Sequence, residues 1–383
     1  MNETLFFCIW GDNFGEIPQK ISDQLGTVKK VILDLGPEFN FTNDDSLNNI
    51  INICESNGIQ LVIVSNSFTY NERPIINNTT TTIIDYPAYW MWCTFYGNTI
   101  DPKIRQQNLD NNLDILDNNV NLNNGIDFLY ITLNNLSKYH RCRTIDLLAK
   151  NDLFKPGAIA FRDYNFHLDK DRPELRTDEN HNIPDSILTD TYKFEYWEKP
   201  TKLFLDGDKS SKDFTIFSQW SPPRQYGKSF VQIVTESDAD KFFFFSEKTA
   251  TPLLYNQLFL VVGCKNFHKN LVDMGFRLYH NIFDYSFDEM DNLDDRINGV
   301  ISNLYRYRHD TKQQLEERKR QCLEILQHNR RVALSYIKNN VSKELADVAN
   351  EVRGLNRQLH ANFCTPEYIY DTLLHSIPNM SPK

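Results

Sequence analysis

The chain has 383 residues, a formal net charge of −10, 40% hydrophobic residues and 24% charged residues. This length predicts two domains, and the composition is that of a globular protein. The acidic balance argues against a large nonspecific nucleic-acid surface, although it leaves room for a local basic groove. No apolar stretch approaches the ~20 residues of a membrane span, and the N-terminus lacks the basic start of a signal peptide. We therefore expect a cytoplasmic protein without a membrane span.

The seven cysteines are scattered along the chain. None forms a CxxC pair, so the sequence shows neither a zinc motif nor a redox motif. An odd number also argues against a disulfide framework. We expect reduced, buried thiols and no bound metal.

Strand-like runs alternate with helical spacing over residues 1–125. Strands are predicted at 4–10, 28–36, 59–67 and 81–87, and a helix at 45–58. The run at 59–67 is apolar on both faces, which is typical of a parallel sheet covered by helices. The alternation predicts a doubly wound, Rossmann-like α/β domain. The Asn- and Asp-rich stretch 101–125 is predicted to be its connection to the next domain.

The α/β pattern resumes after residue 125. Strands are predicted at 126–135, 156–166, 230–237, 258–263 and 277–283, and helices at 138–154, 251–257 and 266–276. A polar, proline-bearing stretch at 167–213 is predicted to be loop. We expect a second α/β domain over 126–310 and a helical C-terminal segment over 311–383.

The polar step Ser246-Glu247-Lys248-Thr249 lies between two apolar runs, 242–245 and 258–263. Strand, polar step and helix in this order place side chains at the carboxyl end of a sheet, where open α/β sheets bind ligands. A helix starting near Thr249 would offer N–H groups to an anion such as a diphosphate. Glu247 could accept two sugar hydroxyls, and Lys248 could neutralise phosphate. The combination fits a nucleotide-sugar, and a solvated turn with a Glu–Lys pair is the alternative.

This step and the residues after it resemble the C-terminal part of a family of phage and viral glycosyltransferases. That family shows a (T/S)EK(T/I)xxP step, an apolar strand ending in glycine, an "L…LGF" helix and a "DESYD"-like turn before an Arg-bearing helix. The matching residues are Ser246, Glu247, Lys248, Thr249, Pro252, Gly263, Leu271, Gly275, Phe276, Asp284, Asp288 and Arg296. The EK step also occurs in fucosyltransferase-like enzymes of the GT-B fold.

Two upstream segments extend the resemblance to about 125–310. Residues 226–237 resemble the family's "YxxSFxxIVxET" strand and keep Glu236, and residues 133–153 resemble its "LNRxxRxHR" segment. The second segment keeps Asn134, His140 and Arg141 but loses much of the family's basic charge. The N-terminal third matches no family pattern, and the resemblance implies that this domain, residues 1–125, selects the acceptor.

The resemblance implies a metal-independent GT-B glycosyltransferase, with two Rossmann-like domains facing a cleft. It needs no cofactor beyond a nucleotide-sugar co-substrate such as a UDP- or GDP-sugar. The residues it implies for the nucleotide-sugar are Asn134, Arg141, Arg143, Tyr226, Lys228, Glu236, Glu247, Lys248 and Thr249. Among these, Arg141 and Arg143 would lie close to the diphosphate, because a guanidinium fork suits such oxyanions.

An inverting reaction also needs a base that deprotonates the acceptor hydroxyl. Asp12 is the first candidate because it comes after the first predicted strand, although an Asx turn is the alternative. His140 is the second candidate, with a structural hydrogen bond as its alternative. The pair of aspartates in 206–208 is predicted to be a turn rather than a metal-binding DxD.

The acceptor is open between a hydroxylated base in phage DNA and a glycan or lipid-linked saccharide. The aromatic stretch 86–96 could stack on a sugar or a flipped base, or simply fill a core. If the acceptor is DNA, the basic C-terminal helices are the segments expected to contact its phosphates. A non-catalytic binding protein that kept the fold is the rival from another class.

Overall fold

A computed structural model describes ten ranges of the chain. These are residues 3–8, 14–35, 45–65, 80–85, 125–136, 138–164, 195–196, 225–240, 243–339 and 343–355. The chain divides into two compact units, Met1–Asp110 with Ala333–Lys383, and Asn111–Val332. The helices predicted for 311–383 are therefore shared between the two units.

The first unit contains a four-stranded parallel sheet in the order β1-β2-β3-β4. Its elements are β1 (Thr4–Cys8), α1 (Ile17–Ser22), β2 (Lys30–Asp34), α2 (Asp45–Ser56), β3 (Gln60–Ser65) and β4 (Thr81–Asp85). The strands alternate with helices as the sequence predicts. Their apolar side chains pack with those of α1 and α2 into one core, which includes Ile17, Val31, Ile50 and Leu61.

The first unit also holds the last described helix of the chain, α9 (Lys343–Gly354). Glu351 on this helix accepts a 2.9 Å hydrogen bond from the Thr4 hydroxyl and pairs with the Lys30 ammonium. These contacts join the C-terminal helix to β1 and β2, so the first unit is built from both ends of the chain.

The second unit contains another four-stranded parallel sheet. Its strands are β5 (Phe128–Leu136), β6 (Gly157–Tyr164), β7 (Ser229–Thr235) and β8 (Leu258–Val262). Its helices are α3 (Tyr139–Lys150), α4 (Glu247–Leu254), α5 (Phe267–Asp273), α6 (Leu293–Arg306), α7 (Lys312–Gln321) and α8 (Leu323–Asn339), of which α8 runs past Val332 into the first unit. Every residue of β7 and β8 is buried, as expected for strands covered on both faces.

The strand order of this sheet is β6-β5-β7-β8. Helix α3 comes after β5 and leads to β6 on one side, whereas β7 pairs with β5 on the other side. The order therefore reverses between β5 and β7, and such a switch point opens a crevice at the carboxyl ends of the strands. A register shift between Asn134 and Leu136 lies at this end of β5. Irregularities of this kind are common beside binding sites.

Two of the predicted elements are wrong in detail. Residues 277–283 form no strand, because the N–H groups of Ile282 and Phe283 both donate to the Tyr279 carbonyl and close a turn. Helix α4 begins at Glu247 rather than near residue 251, so Pro252 lies inside the helix and not in its first turn. Helix α5 ends at Asp273, and Gly275 lies just beyond it with φ of 93°, the left-handed conformation in which glycine commonly ends a helix.

The fold prediction is confirmed at the level of a mixed α/β protein with two parallel sheets. Within the described ranges, no helix combines the length and the apolar character needed to cross a membrane. The predictions for Asp12, for 86–96 and for 206–208 lie outside the described residues.

Candidate functional site

Several of the predicted ligand residues lie together at the carboxyl ends of the strands of the second sheet, at its switch point. We call this end of the sheet its carboxyl edge. Glu236 comes directly after β7, and its fully buried carboxylate accepts four hydrogen bonds. Oε1 accepts from the Ser246 amide at 3.2 Å and the Thr249 hydroxyl at 2.5 Å. Oε2 accepts from the Ser246 hydroxyl at 2.5 Å and the Ser237 amide at 3.3 Å. The end of β7 is thereby tied to the start of α4.

Helix α4 begins where it does because Ser246 caps it. The Ser246 backbone is extended, and its Oγ accepts from the Lys248 amide at 3.2 Å, as serine does at N-cap positions. Ser246 and Thr249 face inward and are fully buried, whereas Glu247 and Lys248 are 24% and 23% exposed. A polar step can therefore lie between two buried apolar runs, because two of its four side chains are buried with them and only the other two face outward.

The helix start has fewer N–H groups for an anion than the sequence suggests. The Lys248 amide bonds to Ser246 Oγ, and the Thr249 amide bonds to the Ser246 carbonyl at 3.2 Å. Positive charge for a ligand must therefore come mainly from side chains.

Lys248 directs its ammonium towards three oxygens. Nζ lies 2.7 Å from Glu247 Oε1, 3.3 Å from Ser237 Oγ and 3.3 Å from Ser246 Oγ. These acceptors account for all three N–H donors of a lysine. Burial raises the pKa of the Glu247 carboxyl, but Lys248 outweighs that effect and the pKa lies below its usual value. Glu247 is thus an ionised, partly exposed carboxylate with Oε1 held in place by Lys248.

The start of α3 is bonded to the end of β7. His140 Nε2 donates to the Glu236 carbonyl at 2.7 Å, Lys138 Nζ donates to the Ser237 carbonyl at 2.7 Å, and Arg141 Nη2 lies 3.4 Å from the Glu236 carbonyl. These contacts join segments that lie almost a hundred residues apart in sequence. Two of the predicted motifs therefore meet in one place.

His140 is neutral in this position, because burial holds the pKa of its imidazole well below the usual value. Its Nε2 proton is committed to the Glu236 carbonyl, which can only accept. A role as catalytic base would fall to Nδ1. The contact supports the structural interpretation, and the role of base remains a prediction for His140 as it does for Asp12.

Lys138, Arg141 and Lys248 bring three positive charges to this edge, close to the carboxylates of Glu236 and Glu247. Arg141 is only 2% exposed. Burial lowers the pKa of its guanidinium to about 10, against the raising effect of the Glu236 and Glu247 carboxylates, so it stays charged at neutral pH. Three cations at a switch point can attract an anionic ligand.

Asn134 bridges the two strands that flank the switch point. Its Oδ1 accepts from the Thr235 hydroxyl at 2.7 Å, and its Nδ2 donates to the Thr132 hydroxyl at 3.1 Å. The side chain is 3% exposed, so its role is to hold β5 and β7 together beside the crevice.

The structure does not bring Arg143 to this constellation. Its guanidinium Nε lies 3.3 Å from Asp294 Oδ2, and its Nη1 lies 3.8 Å from Asp146 Oδ2 and 3.7 Å from Glu195 Oε2. These three carboxylates engage Arg143 in an acidic cluster away from Glu236.

Tyr226 and Lys228 lie at the opposite edge of the sheet, because they precede β7. The Tyr226 hydroxyl donates to Gln232 Oε1, and Lys228 Nζ pairs with Asp127 Oδ2 at 3.0 Å. The length of β7 separates them from Glu236, roughly 20 Å at ~3.3 Å per residue. Neither can contact a ligand bound at the carboxyl edge.

A buried His268–Asp288 pair lies beyond β8 and looks at first like a catalytic dyad. His268 Nδ1 lies 2.7 Å from Asp288 Oδ1, but its Nε2 accepts the Val261 amide at 3.1 Å. Asp288 also accepts the amides of His268 and Lys269. Both ring nitrogens are occupied, so the pair anchors the backbone.

Ser237 and Lys138 belong to this edge but were not among the predicted site residues. Ser237 supplies a hydroxyl to Lys248, an amide to Glu236 and a carbonyl to Lys138. Its only sequence signal is its position as the last residue of the strand motif, directly after Glu236.

Within the described ranges, no group of three or more His, Cys, Asp or Glu side chains could hold a metal ion. Comparisons with family models, with curated proteins and with solved structures found no match.

Proposed function

We propose that this protein is a GT-B glycosyltransferase that moves a sugar from a nucleotide-sugar to an acceptor hydroxyl. One observation carries the proposal: Glu247, Lys248 and Arg141 converge at the carboxyl edge of a parallel sheet, at the point where its strand order reverses. Open α/β sheets bind nucleotides at such points. The two α/β units are compatible with two Rossmann-like domains, and the resemblance of residues 125–310 to phage and viral glycosyltransferases adds support.

Glu247 is the residue that would recognise the donor by hydrogen bonding. Lys248 holds its Oε1 at 2.7 Å, and the partly exposed carboxylate would accept a hydroxyl of the ribose or the sugar. Charge-assisted hydrogen bonds of this type are roughly twice as strong as neutral ones.

Arg141 and Lys248 would stabilise the diphosphate. Arg141 is buried and the three N–H donors of Lys248 are engaged, so both cations would act through their electrostatic fields at short range. In the reaction, the acceptor oxygen bonds to the anomeric carbon as the bond from that carbon to the diphosphate oxygen breaks. The acceptor proton passes to a base, for which Asp12 and His140 Nδ1 are the candidates. The nucleoside diphosphate leaves with additional negative charge, which preorganised cations stabilise most effectively.

The acceptor class is inferred from the viral resemblance. A hydroxylated base in phage DNA is our first proposal, and a glycan or lipid-linked saccharide is the alternative. Retention on hydroxymethylated DNA that weakens steeply with salt would favour the first. No retention on this DNA, together with turnover on oligosaccharides, would favour the second.

The test is a calorimetric and thermal-shift panel of UDP- and GDP-sugars on the wild type, Glu247→Gln and Lys248→Met. A donor at about a hundred times its Kd should stabilise the wild type by about 2.7 kcal/mol. Glu247→Gln should bind about ten to a hundred times more weakly, because a hydrogen bond to a charged group contributes about 1.5–3 kcal/mol.

The matched control is Lys312→Met, which breaks a lysine–carboxylate pair with Asp127 at the opposite edge of the sheet. It should bind donors like the wild type. If no donor binds the wild type, the transferase proposal is wrong. If all variants bind equally, only the site assignment is wrong, and binding without release of nucleoside diphosphate would favour a non-catalytic protein.

A further inference from the structure

We propose that Glu236 is a positioning residue for the donor site and does not touch the donor itself. Its carboxylate fixes Ser246 and Thr249, and so sets the direction in which Glu247 and Lys248 face the ligand. This role rests on the proposed function, because it is a role within that site.

Glu236 has no capacity left for a ligand. Oε1 accepts from the Ser246 amide and the Thr249 hydroxyl, and Oε2 accepts from the Ser246 hydroxyl and the Ser237 amide. A carboxylate has about four acceptor positions, and here all four are occupied. The side chain is also fully buried. A ribose or sugar hydroxyl could bond to it only by displacing one of these donors.

The partners of Glu236 flank the exposed pair in sequence. Ser246 and Thr249 are the residues immediately before and after Glu247 and Lys248. Because Ser246 and Thr249 are both held by Glu236, the side chains of Glu247 and Lys248 between them can only face outward from the start of α4. Moreover, Ser246 Oγ accepts from Lys248 Nζ at 3.3 Å while its own proton goes to Glu236. The hydrogen bonds therefore run in one direction, from Lys248 through Ser246 to the buried carboxylate.

The Glu236 backbone also links the second helix of the site. Its carbonyl accepts from His140 Nε2 and, at longer range, from Arg141 Nη2. One residue thus connects the starts of α3 and α4 across the switch point. A change at its side chain is expected to reach both sets of ligand groups.

The decisive variant is Glu236→Gln, which keeps the shape and removes the charge. Its amide nitrogen donates, whereas Ser246 Oγ and the Ser237 amide both need an acceptor at that position. We expect the affinity for the donor to fall about tenfold or more, the range typical of residues that orient a binding group. We also expect faster hydrogen exchange at the Lys248 and Thr249 amides of the unliganded protein.

A matched control is Asn303→Ala in the same unit. Asn303 is buried and makes two loop-anchoring bonds to Asp284, 2.9 Å to its amide and 2.8 Å to its carbonyl. This variant should lose stability while keeping the donor affinity of the wild type. A general loss of stability would weaken binding in both variants, whereas a positioning role predicts a loss only in Glu236→Gln.

The pH dependence of affinity gives a readout that a merely structural role would not change. The charged and titratable groups facing Glu236 are Lys138, His140 and Arg141 from the side of α3, and Glu247 and Lys248 from α4. Burial raises the pKa of Glu236, against the lowering effects of Lys248, Ser246 and Thr249, whereas the pKa of Glu247 lies below its usual value. Acidification therefore protonates Glu236 before Glu247.

Donor affinity of the wild type should fall on acidification, at a pH above the usual range of glutamate, because the pKa of Glu236 is raised. The Glu236→Gln variant should bind weakly throughout and lack this step. Equal affinity in Glu236→Gln and the wild type, or parallel pH profiles, would overturn the positioning role and leave the transferase proposal standing. Absence of donor binding by the wild type would refute the transferase proposal. In that case unchanged exchange at Lys248 and Thr249 would also refute the positioning role.

Discussion

Replacing Arg296 by lysine should destabilise the second unit more than any other conservative change on helix α6. The guanidinium is 3% exposed and donates to backbone carbonyls. Nη2 bonds to Ala239 at 2.9 Å, Nε bonds to Gly263 at 3.2 Å, and Nη1 bonds to Met290 at 2.7 Å and Asp291 at 2.9 Å. One side chain thus joins the loop after β7, the end of β8 and the segment before α6.

The magnitude depends on the number of bonds that a lysine cannot reproduce. Its single nitrogen cannot occupy the positions of Nε, Nη1 and Nη2 together, so at least two of the four bonds are lost. Hydrogen bonds to charged groups contribute about 1.5–3 kcal/mol each, which predicts a loss of about 3 kcal/mol for Arg296→Lys. Alanine would remove all four bonds and leave a cavity, so we expect about 4–5 kcal/mol.

Urea unfolding monitored by circular dichroism measures this loss as a lower midpoint at an unchanged slope. The control is Arg306→Lys on the same helix, where the side chain is exposed; such changes stay within about 0.5 kcal/mol. Because Ala239 lies close to Glu236 in the chain, donor affinity should also fall in Arg296→Lys. A loss of stability below about 1 kcal/mol would show that the loops hold their positions without the guanidinium, contrary to this reasoning.

Two further predictions concern the packing of the second unit. Burial lowers the pKa of Lys319 to about 8, and among the described residues its Nζ bonds only to neutral partners, with Gln257 Oε1 at 2.7 Å. Because the unfolded chain keeps its proton up to about pH 10.4, the wild type should gain stability relative to Lys319→Met between pH 8 and pH 10, up to about 3 kcal/mol; identical pH profiles of the two proteins would contradict this. An added methyl group in Gly299→Ala would overlap the Cβ of Phe287, so we expect a loss of about 1–3 kcal/mol in thermal unfolding. Phe287→Gly, which removes that Cβ, should relieve the overlap in the double variant.

Much of the fold could be predicted because each strand is a short apolar run of the right length. The predictions at 4–10 and 59–67 correspond to Thr4–Cys8 and Gln60–Ser65, with errors only at the ends. The run 277–283 misled because Tyr279, Ile282 and Phe283 are buried, and apolar content alone does not separate a strand from a turn packed into the core. The bonds that close this turn are local and leave no sequence signal.

Some of the residues predicted for the site lie far from Glu236, and the sequence itself explains part of this separation. Tyr226 and Lys228 belong to the same motif as Glu236 but precede the strand, whereas Glu236 comes after it. In a parallel sheet those positions lie at opposite edges, so membership in one motif does not imply membership in one site. Arg143 lies beside other carboxylates for a different reason: it is two residues from Arg141, and on a helix that spacing turns a side chain to another face.

The roles of Glu236 and Glu247 could not be separated from sequence, because both are glutamates near a strand end. Their difference depends on where helix α4 begins. With Ser246 as the N-cap, Glu247 faces outward and Ser246 and Thr249 face the buried carboxylate of Glu236. A start near Thr249, as the position of Pro252 suggests, would have given all of these residues different directions.

The assembly of the site depends on strand order, which is a nonlocal property. Asn134, the start of α3 and the Glu236 region meet only because β7 pairs with β5. Had β7 paired with β6, the chain would contain the same motifs, but the 2.7 Å bond from His140 to the Glu236 carbonyl would have no route to form. The hydrogen bond between His140 and the Glu236 carbonyl therefore joins two separate sequence motifs at one end of the sheet. A substitution that weakens β5–β7 pairing should impair donor binding even where it leaves every ligand group in place.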